Sequence, residues 1–154
     1  MLQRLSLYFL CLLLLGVSLC CTEQPYRRYA RHADAVAAGE IKRGWLPVWL
    51  PSAATDIHIQ NDVDTNHVWI RCSLPISERP SLLPFMSAVP SAKVEYLSLS
   101  YPRSSSAWWF EALIDQQPAN DGALNAEIYI LRPSIASTVT YVAFDRVTDR
   151  AYFW

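Results

Sequence analysis

The sequence predicts an α+β fold, with a short N-terminal helix followed by a mainly antiparallel sheet. Three observations predict it. Ala33, Val36, Ala37 and Ile41 keep helical spacing. The runs DIHIQND and HVWIRC alternate apolar and polar residues on either side of turn-forming residues, which predicts a hairpin over 56–72. Residues 124–154 hold three strand-like runs separated by short or moderate connections, which predicts an antiparallel meander. The 154 residues are 52% hydrophobic and 18% charged, a balance that suits one globular domain. A formal net charge of -1 offers no basic surface, so no nucleic-acid partner is expected.

The first residues are set apart from the domain. Arg4 precedes an apolar run from Leu5 to Cys21. A membrane-spanning helix needs about 20 such residues, so the run is short for an anchor and suits a secretory signal. Ser18 and Cys20 supply small residues before Cys21, which places cleavage between Cys20 and Cys21. Residues 1–20 are expected to be the signal peptide, 21–28 a tether and 29–154 a single domain. A bacterial lipoprotein signal also ends at a cysteine that is then lipidated. Cys21 is the expected lipid site, with Cys20 the second choice; plain secretion and an uncleaved N-terminal helix are the alternatives. With Cys11 and Cys20 in the signal and Cys21 lipidated, Cys72 is the one remaining thiol, so no internal disulfide holds the domain. Cys72 itself reads as a small buried hydrophobe.

Within the domain, Asp34 is an acceptable helix cap, and Gly39 and Gly44 are both stop signals, so a short helix is expected near 34–43, broken or tightened near Gly39. Pro47 and Pro51 forbid regular structure in GWLPVWLPSAAT. That stretch reads as an irregular segment pinned to the core by Trp45, Leu46, Trp49 and Leu50. In the hairpin, Ile57 and Ile59 share a face with Val68, Ile70 and Cys72; His58, Gln60, His67, Trp69 and Arg71 take the other. The expected register sets Ile57 opposite Ile70 and Ile59 opposite Val68. A two-residue change in loop length keeps these faces, whereas a one-residue slip reverses them. Asp56 and Arg71 are expected to form a cross-strand ion pair. SERPSLLPFMSAVP, with Pro80 and Pro84, reads as a short helix or loop. KVEYLSLSYP reads as strand-like, WWFEALI as a strand or a helical turn, and DQQPANDGA as a loop. LNAEIYIL, STVTYVAFD and AYFW are the three strands of the meander.

Three stretches together resemble a known family: AGEIKRGWLPVWLPSAATDIHIQNDVDTNHVWI, the Trp108–Trp109 pair, and the terminal YVAFDRVTDRAYFW. They resemble small bacterial envelope proteins of uncharacterised function, many with lipoprotein signals, that contain a YbbD-type head domain. The most specific pieces are Gly44-Trp45-Leu46-Pro47 and Asp64-Thr65-Asn66 followed by Val68-Trp69. The resemblance implies a bacterial envelope location and a fold; it carries no catalytic residues.

The chemistry-bearing patterns are sparse. Asp62, Asp64 and Asn66 begin like a calcium-binding loop, but His67 and Ser73 stand where such a loop needs Gly and Glu. These residues read instead as turn formers, so no metal and no cofactor is expected. The sequence contains no nucleophile-elbow motif, no glycine-rich phosphate loop and no C-x-x-C pair after the signal. No catalytic residues are expected. The leading expectation is a lipid-anchored, non-catalytic binding module in the cell envelope, facing the periplasm or the exterior, with an envelope protein as partner. Trp69, His58 and His67 on the polar face are its candidate interaction surface. The alternative is a hydrolase or metal-dependent enzyme built on His58, His67 and Asp64.

Overall fold

The computed structural model describes residues 25–90, 102, 108–109, 126–132 and 140–154. Its described elements are β1 (Tyr26–Arg31), α1 (His32–Ala37), β2 (Thr55–Asp62), β3 (His67–Ser73), two 3-10 turns (Ile76–Ser81 and Leu83–Phe85), β4 (Met86–Ala88), β5 (Ala126–Leu131), β6 (Tyr141–Asp145) and β7 (Arg150–Phe153). The strands form one antiparallel sheet in the order β1-β2-β3-β7-β6-β5-β4. The last strand of the chain therefore lies in the centre of the sheet, between β3 and β6.

This corrects the α+β expectation. The protein is mostly antiparallel sheet, and the first described element is a strand, β1, which begins inside the stretch read as tether. The expected helix over 34–43 is a six-residue helix, His32–Ala37. Its end has a local cause. Gly39 takes φ +82°, its N–H donates to Val36 O at 2.9 Å, and Glu40 N–H donates to Ala35 O at 3.1 Å. That is the paired 5→2 and 6→1 bonding of a Schellman cap, which only a residue tolerant of left-handed backbone closes cheaply. Asp34 is not the cap: it lies in the first turn and pairs with Arg31 at 2.9 Å.

The hairpin forms with the expected faces and a two-residue change of register. Ile59 pairs with Ile70, Gln60 with Trp69 and Asp62 with His67, leaving four residues in the loop. The shift is even, so the burial pattern survives it. Between Thr55 and His58 the ladder slips where Asp56 adopts φ +45°. Such a bulge re-aims the side chains around it.

Both faces of the sheet are buried. On the first face Ile57, Ile59, Ile70, Cys72, Phe144 and Phe153 pack beneath Ala35, Leu46, Leu50 and Ala54. The GWLP segment is held as the sequence implies: Leu46 and Leu50 are buried, and Trp45 and Trp49 pack against the core, Trp49 with its ring centroid 5.9 Å from that of Phe153. On the second face Trp69, Ala143, Tyr152 and Trp154 pack with Trp108 and Trp109. The meander appears as β5, β6 and β7. Ile76–Ser81 and Leu83–Phe85 are short 3-10 turns, as Pro80 and Pro84 require. The strand expectation for KVEYLSLSYP, most of WWFEALI and the signal with Cys20 and Cys21 lie outside the described residues.

Candidate functional site

The register builds the second face as transverse rows. One row runs Ile130, Tyr141, Trp154 and, carrying the β3–β7 register one residue on, Trp69, Gln60 and Tyr26. The next runs Ile128, Ala143, Tyr152, Arg71, His58 and Arg28. Each row passes from apolar residues on the C-terminal strands to polar ones at the β1 edge. The polar end of the second row is where ionisable side chains gather.

There the Asp56 bulge places a carboxylate between two arginines. Arg28 reaches Asp56 Oδ1 at 2.6 Å, and Arg71 Nη2 reaches Oδ2 at 2.8 Å. The cross-strand Asp56–Arg71 pair expected from the sequence is thus present, with Arg28 as a third member. His58 Nε2 lies 3.1 Å from Asp56 Oδ1 and hydrogen-bonds Arg71 Nη2, while Nδ1 is 2.6 Å from Tyr26 Oη. Trp108 covers the imidazole, stacked within 11° of parallel, and its carbonyl accepts from Arg71 Nη1 at 3.1 Å. Burial and the Arg71 charge hold the His58 pKa below the ordinary histidine value, so the ring is kept neutral. Burial alone would raise Asp56, but the hydrogen bond and charge of Arg28 outweigh it and lower the carboxyl.

A second cluster lies across the sheet, on the first face. The Glu40 side chain is 0% exposed. Its Oε1 accepts from Tyr29 Oη at 2.5 Å and Arg43 Nη2 at 2.8 Å, and its Oε2 accepts from Arg27 Nη2 at 3.3 Å. Arg27 Nε is 2.8 Å from Oε1, an ion-pair contact outside hydrogen-bond geometry. Arg27 also donates to Asn61 Oδ1 at 2.6 Å, tying β1 to β2. Burial would raise Glu40, and the Tyr29 and Arg43 hydrogen bonds with the Arg27 charge outweigh it, so the carboxyl is held below its ordinary value.

The structure separates the residues expected to form a surface. Trp69 is 3% exposed and His58 5%; His67 is exposed, its ring edge-on to Trp69 at 5.9 Å. His58 and His67 are four residues apart along the paired strands, about 13 Å at strand rise. They do not share a ligand, and Asp64 stands in the exposed hairpin loop. The possible calcium loop is a turn: Asp62 Oδ1 accepts from the N–H groups of Asp64 at 3.0 Å and Thr65 at 3.2 Å, and Asn66 takes φ +56°. Among the described residues no three His, Cys, Asp or Glu side chains gather as a metal set. Burial pushes the Cys72 thiol up to about 12, so it is inert as a nucleophile at neutral pH.

Sequence reasoning missed Glu40, Tyr26, Arg28 and the cap by Trp108. Their local signal is weak, because all their partners except Arg43, three residues from Glu40, are 11 or more residues away in the chain.

No curated protein and no solved structure matches the chain. A family model does match over part of it, ending before Trp108–Trp109 and the C-terminal YVAFDRVTDRAYFW. Residues 23–73, which comprise β1, α1, β2 and β3 with both polar clusters' anchoring side chains, match the YbbD head domain.

Proposed function

We propose that this protein is a lipid-anchored component of the bacterial cell envelope whose domain binds another envelope protein and performs no catalysis. Supporting the anchor is the apolar run that ends at Cys21, with Cys20 as second choice for the lipid. The observation that carries the non-catalytic reading is the state of the reactive groups. Glu40 is occupied by Arg27, Tyr29 and Arg43, and both oxygens of Asp56 are occupied by arginines. A general base needs a lone pair within reach of a substrate proton, and these carboxylates spend theirs on the chain's own strands.

With the middle of both sheet faces buried, the outer edge of β1, which has no strand beside it among the described residues, is the surface that suits a protein partner. An edge strand accepts an added strand through its backbone groups. Arg27, Arg28 and Arg31 are each paired with a carboxylate of this chain, which restricts the strands that fit beside them.

Cys21→Ser is expected to move the protein from the membrane to the soluble fraction. Undiminished membrane retention contradicts the anchor. A photocross-linking residue at Ala30, on the edge, is expected to capture an envelope protein, whereas one at Val48, 76% exposed in the GWLP segment, is not. Equal capture at both sites, or none at Ala30, contradicts the binding role of the edge.

A further inference from the structure

His58 Nε2 faces two groups that demand opposite things of it. Arg71 Nη2 is a donor and Asp56 Oδ1 an acceptor 3.1 Å away. A neutral imidazole carrying its proton on Nδ1 turns a lone pair to Arg71 and donates to Tyr26 Oη. A proton added at Nε2 makes the ring a cation and replaces that lone pair with an N–H. The N–H opposes the guanidinium and suits the carboxylate.

Arg71 is also the polar tie between β3 and Trp108. Its Nη1 donates to the Trp108 carbonyl, and the Trp108 ring stacks on the same imidazole. Whatever displaces Arg71 from His58 therefore strains its bond to Trp108. We propose that His58 is an acid-sensitive switch: proton uptake from solvent at Nε2 exchanges Arg71 for Asp56 as its partner and breaks the Arg71–Trp108 tie.

The charges around the ring favour this exchange. β1 presents Tyr26 and Arg28, β2 presents Asp56, β3 presents Arg71, and Trp108 presents an uncharged ring and a carbonyl. Neutral His58 leaves two guanidiniums around one carboxylate; protonated His58 makes three cations around it. The cation that can move without leaving the carboxylate is Arg71, whose Nη2 holds Asp56 Oδ2 while its Nη1 lets go of Trp108. Burial holds the ring neutral at pH 7, so the exchange belongs to the acid side of 6.5.

The chain has three histidines, so NMR of the full-length protein resolves the question directly. On titration from pH 8 to 4.5, the His58 ring resonances are expected to titrate below the ordinary histidine value of 6.5. The Trp108 backbone amide is expected to shift with the His58 midpoint. Asp56→Asn is expected to move that midpoint down by about one pH unit, and Arg71→Gln to move it up by about as much. A Trp108 amide indifferent to His58 protonation overturns the proposal in the wild type alone, whether or not either variant folds. So does an unchanged midpoint in a folded Asp56→Asn protein.

Discussion

At the scale of single residues, polar groups do structural work that apolar ones do elsewhere. Glu40 is the clearest case. Removing its charge leaves Arg27 and Arg43 without a counter-ion at a buried carboxylate position. Glu40→Gln is expected to destabilise the domain by about 2 kcal/mol in chemical denaturation, the scale of hydrogen bonds to a charged group. Gly39→Ala meets no steric obstacle, its nearest neighbour being Arg43 Nη1 at 3.6 Å, so its cost is conformational. That cost is expected to be about 1 kcal/mol for a non-glycine residue at positive φ. Asp62→Ala, which frees the Asp64 and Thr65 amides, is expected to cost about 1 kcal/mol with no dependence on added calcium. A calcium-dependent rise in wild-type melting temperature, lost in the variant, contradicts the turn reading.

The titrating residues give the same account a pH dependence. Glu40, Asp56 and His58 all have lowered pKa values. The unfolded chain then binds more protons than the folded one, so stability falls as pH falls through each window. The loss begins below 6.5 for His58, below 4.5 for Glu40 and below 3.8 for Asp56. Unfolding midpoints in urea are expected to decline in two stages on acidification. His58→Asn is expected to remove the first stage, and Glu40→Gln part of the second.

At the scale of elements, the sequence was legible where burial supplied the pattern; of the ion pairs, it predicted Asp56–Arg71 and not those of β1. The hairpin and the meander announce themselves through alternation, because one face of each strand is apolar. β1 does not. Its inward residues, Arg27 and Tyr29, both reach Glu40, and of the two only Tyr29 also packs on the apolar core, so the strand reads as polar tether. The helix closes at Gly39, where the sequence offered a break; the helical spacing of Ile41 carried the expected bounds past it. The register error of two residues was invisible because it preserves every face. The Asp56 bulge has no sequence signature at all, and it is what brings Asp56, His58 and Arg71 together. β7 joins the N-terminal strands to the C-terminal ones, since it pairs with β3 on one side and β6 on the other. Phe153→Ala, at a fully buried position of that strand, is expected to cost about 3 to 5 kcal/mol. Val147→Ala, in the exposed turn before it, is expected to change stability by less than about 0.5 kcal/mol.

At the scale of the molecule, the segment that matches the YbbD head domain ends where β3 ends, at residue 73. The sheet does not end there. Ile70 to Ser73 pair with Arg150 to Phe153, and the first-face core runs without interruption from Ile57 through Ile70 and Phe153 to Phe144. Residues 26–73 thus leave one strand edge and a large apolar face to be completed by the C-terminal strands. This continuity is the central claim, because it makes β3 the joined side of the head segment and leaves the outer edge of β1 with no strand beside it among the described residues. Native-state hydrogen exchange of the wild type and Phe153→Ala tests it most directly. If the sheet is one cooperative unit, the substitution lowers the protection of β2 and β3 amides as much as that of β5 and β6. Undiminished protection of β2 and β3, with loss confined to the C-terminal strands, contradicts it.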